Sequence, residues 1–370
     1  MTAIVRLTFD NKVPLIMGDL MLSGPKKGGI TTLIMPTVEK AQGIFSTDFD
    51  KIPYELHQKI AVLGDNLIIG WSGDHLNATE VIRDLYAENK VAPVTKSTLE
   101  DYFQSLPEHI WYERDGVGFL GFVKDTKGIT EFGYRHTTLK TKHLGKVGFL
   151  GTGTDDLENL VRKFPNIPYP KMGNPNPLQL AVSFALGLTG NLLALELATH
   201  RSLQNFYGGG YEIASLIGGK FEKVSNVTYL FWAAEVSDTG VRISQLPMHV
   251  MSFWYQGDIL TIRSIYFSDP TRNVSTYQAN FAIRPMHRMV SGEELAALQI
   301  PDLNQKFLCN YFLMTSPSNG IEIYSRVDHA PAGEGSIRMA EEHDKVIISV
   351  KHEFIESVLR EIFRDHDTRK

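Results

Sequence analysis

The chain of 370 residues has little of what would assign it to several common protein classes. Its single cysteine, Cys309, excludes a framework of disulfide bonds within the chain and favours a reducing compartment. Lysine and arginine do not cluster, and a net charge of −5 argues against a general nucleic-acid-binding protein. Arg6 and Asp10 interrupt the apolar start, so no secretory signal is predicted. We therefore expect a cytoplasmic protein that does not bind nucleic acid.

Long hydrophobic runs are also scarce. The longest extends over residues 180–198, and Ser183, Thr189 and Glu196 make it a poor candidate for a membrane span. Two packed helices that meet at 189–191 explain this composition better, so we expect no membrane association. The sequence shows no internal repeat and no low-complexity segment, and we expect neither a cofactor nor a metal ion.

What the sequence does contain is a threonine directly after Met1. Once Met1 is removed, Thr2 carries a hydroxyl nucleophile and a free α-amine on the same residue. Such an amine has a pKa of roughly 7.7 to 8.0, which is close enough to neutral for it to act as the base for its own hydroxyl. A processed Thr2 would therefore combine a nucleophile and its base.

Two pairs of strands follow this threonine. Residues 2–9 and 13–19 are predicted to form a hairpin with its turn at 10–11, because apolar β-formers flank an Asp-Asn turn. A second pair begins at Lys59 and ends at Gly73, just before a predicted helix.

These segments resemble the β-type subunits of the proteasome and their bacterial HslV-like relatives. The likeness continues in the same order downstream. Residues 146–154 are similar to the family's strand that ends in Gly-Ser-Gly-Ser, and residues 205–210 are similar to its Asp-x-x-Ser-Gly-Gly segment. The resemblance covers roughly residues 2–225.

The resemblance implies an α+β fold over residues 2–225, namely the four-layer αββα sandwich of proteasome-like N-terminal-nucleophile hydrolases. An insertion at about 25–53 has no counterpart in that family. Beyond residue 226 the sequence predicts a series of strands, so we expect 226–370 to form an additional β-rich C-terminal unit that ends in an amphipathic helix.

The resemblance also implies roles for individual residues. Thr2 would attack a carbonyl, Lys59 would lower the pKa values of the Thr2 amine and hydroxyl, and Asp19 would orient Lys59 and keep it charged. The backbone N–H of Gly73 would stabilise the negative charge that develops on the carbonyl oxygen. The other positions carried over are Thr152 and Asn205 as catalytic support, and Ser23, Trp71 and His75 as substrate contacts.

Some residues depart from the family pattern. Asp19 lies one residue further from Thr2 than in the family, which requires a bulge or a longer turn. Asn205 stands where the family has Asp, and Gly208 stands where it has Ser. Since an asparagine supplies no negative charge, support for the Thr2 amine would be weaker here. Trp71 would fill much of the pocket for the side chain before the cleaved bond, which predicts a preference for small side chains. The alternative, which the sequence leaves open, is that Trp71 packs sideways into the core.

The function that these features predict is an N-terminal-threonine hydrolase, a threonine-type peptidase that cleaves peptides or unfolded proteins. We expect a homo-oligomeric, proteasome-like assembly, because enclosure would protect neighbouring chains from the nucleophile. An ATPase or other regulatory partner stays open. Two alternatives also stay open: a catalytically inactive scaffold or binding protein, and an amidase that acts on a small molecule.

Overall fold

The computed structural model of the chain describes residues 2–25, 33–38, 44–45, 51–112, 116–163, 176–237, 240–267, 277–303, 305–316, 320–328, 336–342 and 345–367. The strands are β1 (Ile4–Phe9), β2 (Val13–Asp19), β3 (Met21–Pro25), β4 (Lys51–Leu56), β5 (Ile60–Leu63), β6 (Leu67–Ser72), β7 (Gly118–Asp125), β8 (Gly128–Tyr134), β9 (Thr137–Lys140), β10 (Lys146–Leu150), β11 (Tyr211–Ile217), β12 (Lys220–Lys223), β13 (Val227–Ser237), β14 (Gly240–Ile243), β15 (His249–Gln256), β16 (Ile259–Tyr266), β17 (Tyr277–Ile283), β18 (Phe307–Ser316), β19 (Gly320–Asp328), β20 (Ile337–Glu342) and β21 (Lys345–Val350). The helices are α1 (His75–Val91), α2 (Lys96–Ser105), α3 (Glu108–Tyr112), α4 (Thr154–Lys163), α5 (Pro177–Thr199), α6 (Arg201–Gln204), α7 (Gly292–Ala296) and α8 (His352–Asp367).

The N-terminal strands form the centre of a six-stranded sheet with the order β12-β11-β2-β1-β10-β9. β1 and β2 make the predicted antiparallel hairpin, with Ile4 opposite Gly18. Asp10 and Asn11 adopt φ values of 49° and 56° in the turn, a left-handed conformation that Asp and Asn tolerate better than most residues. This register brings Asp19, the last residue of β2, beside the start of β1.

A four-stranded sheet, β5-β6-β7-β8, packs against the six-stranded sheet. Its other side is covered by α1 and α2, whose buried side chains join those of β6 and β7 in one apolar cluster. β3 and β4 form a separate two-stranded sheet. The side chains shared between the six-stranded and four-stranded sheets include Ile4, Ile16, Ile60, Ile68 and Leu120.

The largest sheet has seven strands and belongs to the C-terminal part of the chain. Its main path is β17-β16-β15-β13-β18-β19, and β14 pairs with β13. β13 and β18 pair in parallel over nine residue pairs, from Val227 opposite Phe307 to Glu235 opposite Thr315. The other pairings in this sheet are antiparallel.

Helix α5 lies between two sheets. It contacts β2 and β11 of the six-stranded sheet and β18 and β19 of the seven-stranded sheet. Phe184 packs on Phe9 with ring centroids 5.4 Å apart, whereas the Tyr311 hydroxyl donates to the Leu186 carbonyl at 2.6 Å. The hairpin β20–β21 and helix α8 cover the opposite face of the seven-stranded sheet, where Phe354, Val358 and Ile362 are buried.

The expected αββα sandwich is wrong. Among the described residues, 45% lie in strands and 28% in helices, and these strands form five separate sheets, so the described part of the chain is mostly β-sheet. The physical reason lies in the strands beyond residue 226. They form the largest sheet, and this sheet covers the side of α5 that a four-layer sandwich would have left as its outer surface. The apolar cluster around α5 is accordingly continuous from Ala3 to Leu313.

The prediction of two helices meeting at 189–191 is also wrong, since α5 is one helix of 23 residues. Gly190 marks a close approach and not a break, because a Cβ there would lie 2.0 Å from the Tyr311 ring. By length and composition α5 is long and apolar enough to cross a membrane, yet 72% of its most apolar 18-residue window is buried inside the protein. Its hydrophobicity is therefore explained by packing on both sides.

The predicted insertion at 25–53 falls largely on residues outside the described ranges. Within the described residues, its two ends are β3 and β4, and a bulge shifts the register between Leu22 and Ser23. Residues 33–38 are described as well, and the Thr37 side chain is buried.

Candidate active site

The predicted Asp19 and Lys59 meet in a fully buried ion pair. Lys59 Nζ donates to both carboxylate oxygens of Asp19 at 3.0 Å, and both side chains are 0% exposed. The Asp19 carboxylate also accepts three backbone N–H groups. These come from Ala3 at 2.7 Å, Gly208 at 3.0 Å and Met21 at 3.3 Å. One carboxylate thus connects the lysine to the residue that follows Thr2.

The backbone around Lys59 is fixed from two directions. Glu212, which is buried on β11, accepts the N–H groups of Lys59 at 2.5 Å and Ile60 at 2.6 Å. On the other side, the Trp71 N–H donates to the Lys59 carbonyl at 3.1 Å. The lysine is therefore anchored between the six-stranded and the four-stranded sheet.

Burial lowers the pKa of Lys59 below its ordinary value, and the charge and hydrogen bonds of Asp19 oppose this effect. Removing a charged group from water costs free energy, and the ion pair with Asp19 compensates that cost only in part. Because burying the pair costs free energy, it contributes little net stability, which makes it a candidate for a chemical role.

Thr2 lies against the turn that follows β10. The Gly153 N–H donates to the Thr2 carbonyl at 3.1 Å, and a Cβ at Gly151 would lie 1.9 Å from that carbonyl oxygen. Gly151 has a φ of 90°, so both its conformation and its lack of a side chain are needed there. Thr2 itself is 1% exposed, and Met1 lies outside the described residues.

Thr152 and Asn205 are brought together, as expected for a supporting pair. The Thr152 hydroxyl donates to the Asn205 carbonyl at 3.3 Å. This contact is exposed and uses the backbone of Asn205, so it does not depend on the identity of that side chain. Gly208, where the family pattern has Ser, contributes its N–H to Asp19.

Two of the three predicted substrate contacts, Trp71 and His75, lie at the end of β6 and the start of α1, whereas Ser23 lies on β3. Gly73 follows β6 with a φ of 101°, which lets its peptide take an orientation that few other residues allow. Trp71 is 1% exposed, packs in the cluster beneath α1 and α2, and lies 5.7 Å from the His75 ring. Its side chain is thus part of the core, which removes the basis for an occluded pocket. The Ser23 hydroxyl is buried without a hydrogen-bond partner among the described residues.

His57 was missed from the sequence, although it stands two residues before Lys59. The His57 ring lies 4.8 Å from the His75 ring. The backbone N–H of His57 donates to the Leu20 carbonyl at 2.7 Å. Burial and the neighbouring His75 lower the pKa of His57 to about 4, so it is neutral at pH 7. The His57 Nδ1 and His75 Nε2 atoms are buried without partners within the described residues, so both could hydrogen-bond a substrate.

Two cavities lie elsewhere. One of about 620 Å³ lies beside β5 and is lined by residues that include Tyr86, Lys223 and His287. The other, of about 670 Å³, is lined by residues that include Phe103 and Trp111. Neither of these two cavities includes Thr2 or Lys59 in its lining. Among the described residues, no group of three or more histidine, cysteine, aspartate or glutamate side chains could hold a metal ion.

Glu212 and Glu196 were also missed. Both interrupt apolar segments, and a glutamate at such a position is a signal that the sequence offers, because charged residues are rarely buried without a partner. Their partners lie far away in the sequence, so the signal did not reveal what they bind.

No protein-family model matches the chain, and no curated protein matches it. The resemblance to proteasome subunits therefore stays a prediction from short motifs, and the functional argument rests on the geometry around Thr2.

Proposed function

We propose that the protein is an N-terminal-threonine hydrolase that cleaves peptide bonds, with Thr2 as the nucleophile. The observation that carries this proposal is the buried Asp19–Lys59 pair, whose carboxylate also holds the N–H of Ala3. A cation is thereby fixed next to the N-terminal segment, in surroundings that exclude water and strengthen its field.

The first half of the proposed reaction, which forms the ester, uses two proton transfers. As the Thr2 oxygen bonds to the substrate carbonyl carbon, its proton moves to the Thr2 α-amine. The resulting ammonium returns a proton to the leaving amine when the C–N bond breaks, and an ester of Thr2 remains. Water then hydrolyses this ester, with the α-amine again acting as base. Lys59 favours the deprotonated hydroxyl, and the Gly73 N–H is assigned to the carbonyl oxygen.

Processing is a requirement of this proposal. An amide bond to Thr2 would remove the base, and with Thr2 1% exposed a substrate carbonyl does not reach its hydroxyl. Removal of Met1, or of any longer segment before Thr2, must therefore both free the amine and open the site. We propose peptides or unfolded proteins as substrates, a homo-oligomeric assembly and a location in the cytoplasm, where the single Cys309 stays reduced.

The second candidate is a non-catalytic scaffold or binding protein. The burial of Thr2 favours it, as do Asn205 and Gly208 at positions where the resembled family has other residues. A small-molecule amidase would share the chemistry and differ in substrate and assembly.

Intact-protein mass spectrometry is the first test, and the expected result is a chain that begins at Thr2. The second is reaction with a threonine-directed epoxyketone, together with turnover of peptides that release aminomethylcoumarin. Thr2→Ala should abolish both. Thr8→Ala is the matched control, because Thr8 lies on β1, the strand that follows Thr2, and its hydroxyl bonds to Glu131. A chain that wholly retains Met1, or unchanged turnover in Thr2→Ala, would contradict the proposal.

A further inference from the structure

Helix α5 carries a completely buried carboxylate that the proposed reaction does not use. Glu196 is 0% exposed and lies near the C-terminal end of this otherwise apolar helix. Burying a carboxylate costs free energy unless hydrogen bonds satisfy its oxygens. The partners of Glu196 therefore indicate what it is for.

Three donors from three different segments bind this carboxylate. Oε1 accepts the Thr37 hydroxyl and the Gly209 N–H, the latter at 3.0 Å. Oε2 accepts the Ser202 hydroxyl at 2.8 Å. Glu196 thus ties α6, the turn after α6 and the segment at 33–38 to α5.

The turn at Gly208–Gly209 lies between Glu196 and Asp19. Gly208 touches Glu196 so closely that a Cβ would lie 1.9 Å from Oε2, and its φ of 119° also requires glycine. On its other side, the Gly208 N–H donates to Asp19 Oδ2 at 3.0 Å. The Gly208 carbonyl accepts the N–H groups of Leu20 at 3.2 Å and Met21 at 3.0 Å, directly after Asp19.

We propose that Glu196 is a positioning residue: it fixes the Gly208–Gly209 turn, and this turn fixes the Asp19 carboxylate that orients Lys59. The assignment of a catalytic role to Asp19 and Lys59 rests on the proposed function. The link from Glu196 to Asp19 does not rest on the proposed function, because it consists of hydrogen bonds and close contacts within the fold.

The charge of Glu196 changes near neutral pH. The pKa of Glu196 is raised to about 7, mainly by burial and also by the nearby Asp19 charge. The three hydrogen bonds oppose this shift. The other titratable groups that face Glu196 are Tyr207 and Tyr211, whose pKa values burial and neighbouring carboxylates raise, so both stay neutral. Ionised Glu196 accepts all three donors, whereas the protonated form must donate in one direction. The hydrogen bonds to the turn are therefore strongest above pH 7, although the cost of burying the charge makes the folded chain as a whole less stable there.

The test compares three variants of the full-length protein. Glu196→Ala removes every contact. Glu196→Gln keeps the shape and most hydrogen bonds but removes the charge, and it serves as the folded variant if Glu196→Ala does not fold. Thr189→Val is the matched control, since Thr189 is also buried on α5 but its hydroxyl bonds to Tyr229, away from the turn. Each protein is labelled with ¹³C at the aspartate carboxyl and at the lysine Cε, and Asp19 and Lys59 are assigned with Asp19→Asn and Lys59→Arg.

The expected result is a shift of the Asp19 and Lys59 signals in both Glu196 variants and no shift in Thr189→Val. With a coumarin-releasing peptide as probe, kcat should fall about 100-fold in Glu196→Ala and about 10-fold in Glu196→Gln, with KM changed less than about threefold. The kcat of the unmutated protein should rise with pH through about 7, and Glu196→Gln should lose this component. The Thr2 amine also titrates close to this pH. The decisive comparison is therefore the pH dependence of kcat in Glu196→Gln against that in the unmutated protein.

The outcomes separate this inference from the proposed function. Unchanged Asp19 and Lys59 signals in a folded Glu196 variant overturn the positioning role, whether or not the protein hydrolyses peptides. Shifted signals in a protein without hydrolysis support the positioning role and refute the proposed function. Equal effects in Thr189→Val would show that any buried polar group on α5 acts alike, which also overturns it.

Discussion

The six-stranded and seven-stranded sheets bury different kinds of side chain. At one end of the six-stranded sheet, Asp19, Glu212 and the adjoining Lys59 are all at most 2% exposed. The central strands of the seven-stranded sheet instead bury aromatic rings, and its buried Arg263 reaches Glu341, which is half exposed. Burying a charge costs free energy, whereas burying an aromatic ring stabilises the fold. The first sheet is therefore the candidate location of a reaction, and the second mainly contributes stability. The rings are those of Tyr229, Phe231, Trp232, Tyr311 and Phe312.

The largest expected effect comes from removing the charges of the ion pair. If the proposed function holds, Lys59→Met should lower peptide turnover about a thousandfold, because it removes the cation held by the carboxylate that also binds the Ala3 N–H. It should also destabilise the protein by about 3–5 kcal/mol, since it leaves the buried Asp19 carboxylate without its cation. The double variant Asp19→Asn/Lys59→Met should recover part of this stability but no activity, because it removes the unpaired charge while its one amide oxygen can replace only one of the two carboxylate oxygens that accept backbone N–H groups. Urea unfolding and a peptide assay measure both. A double variant less stable than Lys59→Met would show that the pair is structural.

The aromatic sheet should respond in the opposite way. Trp232→Ala should cost about 4 kcal/mol, because it opens a cavity beside Phe312 and leaves Asn310 without the indole N–H that it accepts at 3.1 Å. The reactivity of Thr2 towards an epoxyketone, scaled to the folded fraction, should not change. Thermal unfolding and labelling rates test this. A specific loss of labelling in folded Trp232→Ala would connect the two sheets functionally.

Glu196 predicts a pH-dependent stability. Burial raises its pKa in the folded chain to about 7 from an ordinary value of 4.5, so folding favours the protonated form. Its stabilising contribution is complete below about pH 4.5 and is lost as the pH rises through 7, a change of about 3 kcal/mol. Glu196→Gln should lack this loss. Urea unfolding at pH 5 and pH 8 compares the two proteins, and equal pH dependence would contradict the assignment.

The smallest effect is expected at a partly exposed ion pair in the C-terminal part. Arg288 donates to Asp258 at 2.6 and 2.7 Å, and both side chains are about one third exposed. Burial raises the pKa of Asp258, but the hydrogen bonds from His287 and Arg288 outweigh it and hold the pKa below its ordinary value. Arg288→Ala should cost about 1 kcal/mol and less at high salt. Urea unfolding without added salt and in 1 M salt checks this, because at 1 M the screening length falls to about 3 Å. A cost comparable to that of Lys59→Met would remove the contrast between buried and exposed pairs.

The local features of the fold were predictable from the sequence. The hairpin of β1 and β2 follows from apolar β-formers around Asp10-Asn11, and the strand-rich character beyond residue 226 follows from its composition. The fold class was not predictable in this way, because it depends on which surface covers α5. The apolar pattern of α5 indicates only that it is buried, and the two strands of the large sheet that it contacts, β18 and β19, lie more than a hundred positions later in the sequence.

The candidate site divides similarly. The meeting of Asp19 and Lys59 was expected from the resemblance, and the structure brings them together. The contacts of Glu212, Glu196 and His57 were not expected, because each joins segments that only tertiary packing brings close. The sequence also left open whether Trp71 lies in the pocket or in the core, since alternation along β6 does not say which face meets the helices.

The parallel pairing of β13 with β18 has a consequence for synthesis of the chain. β13 leaves a ribosome about eighty residues before β18, and this central ladder closes only when residues 307–315 have emerged. Until then the side of α5 that faces β18 and β19 is uncovered, and its apolar surface is open to other nascent chains. Such long-range closure is slow compared with local hairpins. Ribosome-bound chains truncated before residue 307 should consequently depend on a holding chaperone, and chains extended past residue 328 should be released from it.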